Sequence, residues 1–169
     1  VIAFGGGSGM DAGKATALLA GSRHELWEYD FEKVPPRLDP ADKFPPLICI
    51  PTTSGTGAET ESTAMITNLD RGMKLCVWHP TLKPSLALLD PELTLALPAH
   101  LTAWTGIDAL IHAIEAYCVP GFHPQCDGTA LEAIKLITRW LPIAVADPGN
   151  LEARGGMQVG SCLGGIAFL

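Results

Sequence analysis

Apolar and polar positions along the chain fall into two textures that meet near Pro98. Before that point the apolar residues come in short runs stopped by glycine, proline or clustered hydroxyls, which is how strands of a mixed fold read. Residues 1–4 predict a buried strand, a Gly5-Gly6-Gly7-Ser8 turn follows, and residues 11–20, rich in Ala and Leu, predict a helix. Residues 21–46 carry Pro35, Pro36, Pro40, Pro45 and Pro46 among alternating charges and predict a long connection with one helical turn at 25–29. A second buried strand is predicted at 47–50, and further β segments at 63–67, 75–78 and 85–89, separated by good turn chemistry. After Pro98 the spacing becomes helical over 100–119, 127–146 and from 151 onward. Pro120 and Pro124 break the first pair and Pro148-Gly149 the second. No internal repeat is visible. The pattern predicts an α/β part to about residue 97 and an all-helical part after it.

Composition narrows the partners. The 169 residues are 47% hydrophobic and 17% charged, enough apolar material for a packed core. Eighteen acids against 11 bases give a net charge of −7, and no Lys/Arg-rich run appears, which argues against nucleic acid. No apolar stretch approaches the ~18 residues of a membrane span. Both ends read as cut: residue 1 opens inside a strand, and residues 160–169 are apolar with no helix stop, so an internal piece of a longer chain is expected. The cysteines at 49, 76, 118, 126 and 162 show neither CxxC pairing nor zinc-ligand spacing, and a reduced, cytoplasmic set is expected.

Three segments carry candidate chemistry. The glycine turn at residues 5–8 stands between a strand and a helix, where bare backbone and a helix N-terminus suit a phosphate; it serves equally as a plain tight turn, and it matches neither GxGxxG nor the Walker pattern. The loop Thr52-Thr53-Ser54-Gly55-Thr56-Gly57 again follows a buried strand and offers four hydroxyls in six residues. Two such loops after two apolar strands are what the carboxyl ends of a parallel sheet present to a nucleotide; a solvated Ser/Thr loop is the alternative. Lys14 and Lys74 are the nearest basic groups, as phosphate partners or as surface lysines. Third, Ile107, Leu110, Ile111 and Ile114 form a helical apolar stripe, with Asp108 and His112 four apart on one face and Glu115 a turn on. A carboxylate and an imidazole at that spacing can share a divalent cation. They can equally be an exposed ion pair, and Thr105 with Asp108 resembles a capping pair at a helix start. His24, His79, His100 and His123 read as solvated or capping histidines.

Taken together, Gly5-Gly6-Gly7-Ser8 with Asp11 and Lys14 (a GGGS-x-x-D-x-x-K turn), Pro51 to Glu59, Asp90-Pro91-Glu92-Leu93, Leu97-Pro98 and the run Thr105 to Tyr117 resemble the iron-containing (group III) alcohol dehydrogenase family across nearly the whole chain. The resemblance implies that residues 1–97 are the C-terminal portion of an NAD(P)-binding α/β domain and 98–169 the N-terminal portion of a helical metal-binding domain, with a cleft between them. It implies that Gly6, Gly7 and Ser8 hold the cofactor pyrophosphate and that Thr52, Thr53, Thr56, Thr63 and Lys74 line the rest of its path. Asp108 and His112 would be two of four ligands for Fe²⁺, with Zn²⁺ possible; two histidines would lie beyond Leu169, and the opening strand–helix units would precede Val1. Gly13 stands where relatives carry a small helix former such as Ala, a change worth at most about 1 kcal/mol of helix propensity. The implied activity is metal-dependent hydride transfer between NAD(P) and an alcohol, aldehyde or ketone, in a cytoplasmic homo-oligomer, with the chain alone inactive. A zinc-dependent glycerol dehydrogenase or dehydroquinate synthase type, and a non-catalytic nucleotide-binding or structural module, are the competing readings.

Overall fold

In the computed structural model, residues 1–168 are described; the predicted apolar tail therefore has its last residue, Leu169, outside the described residues. The first strand, β1 (Ile2–Gly5), runs straight into helix α1 (Gly7–Gly21), and a single-turn 3-10 segment follows at Leu26–Tyr29. β2 (Ile48–Pro51) lies parallel to β1 with Ile2 opposite Ile48 and Gly5 opposite Pro51; the short β5 (Leu86–Ala87) extends the sheet in the order β1-β2-β5. Between them β3 (Thr63–Asn68) and β4 (Met73–Trp78) form a separate antiparallel hairpin. Three helices complete the chain: α2 (Ala99–Cys118), α3 (Pro124–Ala146) and α4 (Leu151–Ala167). The chain is α/β, a parallel sheet followed by a helical part. No helix among the described residues is long and apolar enough to cross a membrane.

Local chemistry explains where the elements begin. The glycine turn is shorter than its sequence suggests, because Gly7 and Ser8 already belong to the first turn of α1 and Gly6 is its cap. Pro124 opens α3 rather than breaking the chain before it: proline is well placed at a first helical position, and the His123 ring accepts the Cys126 N–H beside it. His79 caps the 3-10 turn at Pro80–Leu82 in the same way. The strand expected over 85–89 shrinks to two residues.

The buried apolar residues fall into clusters in the sheet part and in the helical part. Ala3, Met10, Leu47 and Cys49 bury the sheet against α1, while Leu18, Tyr29, Val77 and Leu82 join α1 to the hairpin. In the helical part Ala109, Ala113, Ile137 and Met157 form the centre. Here the stripe expected on α2 is corrected. Ile107, Ile111 and Ile114 are exposed, and the buried face is Gly106, Ala109, Ala113 and Ala116. Small residues win that face because α3 and α4 approach α2 closely; Leu141 of α3 occupies the space a Gly106 side chain would need.

The reading of Gly13 changes too. A Cβ there would collide with the Ala3 methyl and come within 3.0 Å of Ala3 Cα. Overpacking of this kind costs about 1–3 kcal/mol, more than the ~1 kcal/mol that alanine gains in a helix. Gly13→Ala is therefore expected to lower the melting temperature by several degrees, measured by circular dichroism.

Candidate functional site

β1 and β2 end side by side, so the two loops that follow them emerge at one edge of the sheet. The Thr52 N–H bonds to Gly5 O at 2.9 Å and carries the ladder one step past the strands. Gly6 and Gly7 then pass under the second loop: a Cβ on Gly7 would lie 2.7 Å from Thr56 Cγ2, and one on Gly6 3.4 Å from Thr53 Cγ2. Glycine is required at residue 7 by this approach. It also leaves the first N–H groups of α1 uncovered, the arrangement that favours an anion.

Lys14 has a different place from either role considered for it. It is fully buried, its ammonium donates to Ala58 O at 2.7 Å, and it lies 4.0 Å from the Asp11 carboxylate. It is a strut from α1 to the second loop, neither a surface lysine nor a group facing a ligand. Burial lowers the Lys14 pKa, opposed by Asp11, and burial raises that of Asp11, opposed chiefly by Lys14.

The second loop also reaches the helices. Gly57 adopts φ +65°, open chiefly to glycine, and meets Gly165 of α4 main chain to main chain: a Cβ on Gly57 would lie 2.8 Å from Gly165 Cα. Gly55 packs on Thr105 of α2 just as tightly, at 2.9 Å from its Cβ. Thr105 lies mid-helix with its hydroxyl donating to Leu101 O at 2.9 Å, so it caps nothing.

These contacts set the glycine turn opposite the middle of α2 across a cleft of about 430 Å³. From the first loop come Gly6, Gly7 and Ser8, from the second Thr53 and Thr56, from the hairpin Thr63 and Lys74, and from α2 Asp108 and His112. Thr52 is the one predicted site residue outside this lining. Asp11, Glu61, Met65 and Thr105 also line it; Asp11 was visible in the glycine motif, whereas Glu61 carried no spacing signal.

Asp108 Oδ1 and His112 Nε2 stand 3.8 Å apart. Ligand bonds of about 2.0–2.2 Å from each would meet at one ion between them, so the pair fits half of a divalent-metal site. The buried Nδ1 of His112 has no hydrogen-bond partner among the described residues, and the Phe168 ring lies edge-on to the imidazole at 5.9 Å. Among the described residues no third His, Cys, Asp or Glu stands with the pair so as to hold one metal ion.

Two residues that the sequence reading passed over tie α4 to its surroundings, Arg154 to the start of α2 and Gln158 to the end of β2. Arg154 of α4 is 2% exposed. It donates to Pro148 O at 3.0 Å, Thr102 Oγ1 at 2.8 Å and Leu97 O at 3.2 Å. Burial lowers its pKa. One turn on, the Gln158 amide donates to Pro51 O at 3.3 Å and Asp90 O at 3.1 Å. An Arg and a Gln four apart in an otherwise glycine-rich, apolar helix were the signal available.

Following the second loop, Glu59 is buried and its pKa is raised above 4.5, chiefly by burial. The folded chain keeps that proton to a higher pH than the unfolded one. Its contribution to stability falls as pH rises from about 4.5 through the folded pKa and then levels off. Glu59→Gln is expected to lose less stability over that window and to exceed the parent at neutral pH, in urea titrations at several pH values. Burial also pushes the Cys49 and Cys162 thiols up to about 11, which leaves both inert as nucleophiles at neutral pH.

The family model described as Iron-containing alcohol dehydrogenase matches residues 1–91, and that described as Fe-containing alcohol dehydrogenase family, C-terminal, matches 102–169. The chain is 46% identical to the probable alcohol dehydrogenase EutG of Escherichia coli (strain K12), with 99% of this chain and 41% of that protein covered. It is 41% identical to the NAD-dependent methanol dehydrogenase of Bacillus methanolicus, covering 99% and 43%. Among solved structures it is similar to the sulfoacetaldehyde reductase of Bifidobacterium kashiwanohense in complex with NAD⁺, with a TM-score of 0.85, 39% identity, and 99% and 43% coverage. The chain spans about two-fifths of the length of these relatives.

Proposed function

The chain belongs to the iron-containing alcohol dehydrogenase family, and from that membership we propose that residues 1–169 form the core of a metal-dependent oxidoreductase that moves a hydride between NAD(P) and an alcohol, aldehyde or ketone. One observation carries the reading: the N-terminus of α1 and the Asp108–His112 pair open onto the same cleft. In this reading residues 1–97 belong to the dinucleotide-binding part and 98–169 to the metal-binding part. The substrate is a small alcohol or aldehyde, and the setting is a cytoplasmic homo-oligomer. The acidic balance of the chain supports a small-molecule partner over nucleic acid.

Each side chain then has a task. Gly6, Gly7 and Ser8 present unpaired N–H groups to the pyrophosphate. Thr53 and Thr56 close over it, Thr63 and Lys74 flank the path along the hairpin, and Thr52 positions its loop through Gly5 O. Asp108 would supply the negative charge and His112 the neutral nitrogen that hold Fe²⁺, or Zn²⁺. When bound, that ion supplies Lewis acidity toward the carbinol or carbonyl oxygen, while the nicotinamide accepts or donates the hydride. NAD is favoured here because two of the similar proteins are described with it.

The test is cofactor binding. Titrating the full-length protein with NADH and NADPH by fluorescence is expected to show saturable binding. Gly7→Val, which drives a branched side chain into Thr56, is expected to weaken it by about tenfold or more, a cost of at least ~1.4 kcal/mol. Unchanged NADH affinity in that variant would remove the glycine turn from the cofactor site.

A further inference from the structure

The chemistry above leaves the buried ammonium of Lys14 without a task. Burial works against its charge, and Asp11, Glu61 and Glu59 work for it. Asp11 and Lys14 follow Gly7 by four and seven residues, so all three share one face of α1. The second loop covers that face. A Cβ on Gly7 would lie 2.7 Å from Thr56 Cγ2, and the Lys14 ammonium donates to Ala58 O at 2.7 Å. Ala58 is held from its other side as well, its N–H donating to the Thr56 hydroxyl at 3.3 Å. Two hydrogen bonds thus run from Lys14 through Ala58 to Thr56, and they end where Thr56 overhangs the first turn of α1. The cleft is lined by Gly7, Asp11, Thr56 and Ala58, with Lys14 behind them.

We propose that Lys14 is a positioning residue for the dinucleotide: without touching it, Lys14 sets its affinity by fixing Thr56 over the N–H groups of α1. The inference rests on the cofactor reading above and adds to it a residue outside the cleft. Groups aimed before a ligand arrives do not have to be ordered by it, and binding is tighter for that. Thr56 stands between Gly55 and Gly57, in main chain that is otherwise free to move. Ala58 O is the point at which that freedom is stopped from the side of α1. Methionine at residue 14 fills nearly the same volume, but it takes this donor from Ala58 O and the counter-charge from Asp11, 4.0 Å away. Asp108 and His112 stand on a different element, α2, and take no part in this chain of bonds.

The experiment uses the iron-loaded full-length protein. In fluorescence titrations Lys14→Met is expected to bind NADH about tenfold more weakly than the parent. KM for NAD⁺ is expected to rise by a similar factor, while iron content and KM for ethanol stay within about twofold. A lysine that served stability alone would lower the melting temperature and leave the affinity of the folded protein unchanged. Because Lys14 acts through Thr56, the penalties of Lys14→Met and Thr56→Val are expected not to add, the double variant binding NADH about as weakly as Lys14→Met. Without cofactor, amide hydrogen exchange over residues 52–58 is expected to be faster in Lys14→Met than in the parent. Should Lys14→Met not fold, Lys14→Arg takes its place: it keeps the charge but pushes Ala58 outward, and weaker NADH binding is again expected. Equal NADH affinity in parent and variant, additive penalties, or unchanged exchange in the second loop overturns the proposal. A parent that binds no NADH overturns the cofactor reading and the affinity claim with it, whereas failures confined to the variants leave that reading standing.

Discussion

Full-length protein carrying His112→Ala or Asp108→Ala is expected to purify with less than about one tenth of the iron of the parent and to lose turnover by at least about 10³-fold. The reasoning starts from geometry: carboxylate oxygen and ring nitrogen lie 3.8 Å apart on successive turns of α2, a separation one cation spans. Lewis-acid stabilisation by a bound metal is worth several kcal/mol, and each 1.36 kcal/mol is a factor of ten. The measurements are elemental analysis and steady-state rates with NAD⁺. Both side chains are partly exposed and neither anchors the core, so folding should survive and the thermal midpoint of metal-free protein should barely move. A fully iron-loaded His112→Ala protein would end the ligand assignment.

The second large effect is on stability. Arg154→Ala is expected to cost about 3–4 kcal/mol, because a buried cation that serves three acceptors on two segments disappears and leaves Leu97 O, Pro148 O and the Thr102 hydroxyl short of donors. Arg154→Lys should recover only part of this, since an ammonium is a point charge and cannot span acceptors that the guanidinium fork reaches together. Urea unfolding followed by circular dichroism reads both. If Arg154→Ala unfolds within about 1 kcal/mol of the parent, the start of α2 is held against α4 by other contacts.

Much of this arrangement is visible in the residue string because its signals are local. A strand, a glycine turn and a helix in succession need only short-range pattern to be recognised, and so do Asp and His one helical turn apart. What escapes is whatever depends on which surfaces meet. Ile107, Ile111 and Ile114 make a convincing buried stripe until α3 and α4 come close enough to demand Gly106, Ala109 and Ala113 instead. Lys14 looks like a phosphate partner until the second loop folds Ala58 O over it. Gly13 looks like a mere loss of helix propensity until α1 lies on Ala3. Glu61 draws notice only once the chain entering β3 brings it to the wall of the cleft.

The meeting of Gly57 with Gly165 has a mechanical consequence. Two main chains touch there with nothing between them, a Cβ on one falling 2.8 Å from the other's Cα. A single methyl group at Gly57 or Gly165 would act as a wedge, prising the second loop off α4 and widening the cleft that this loop helps to line.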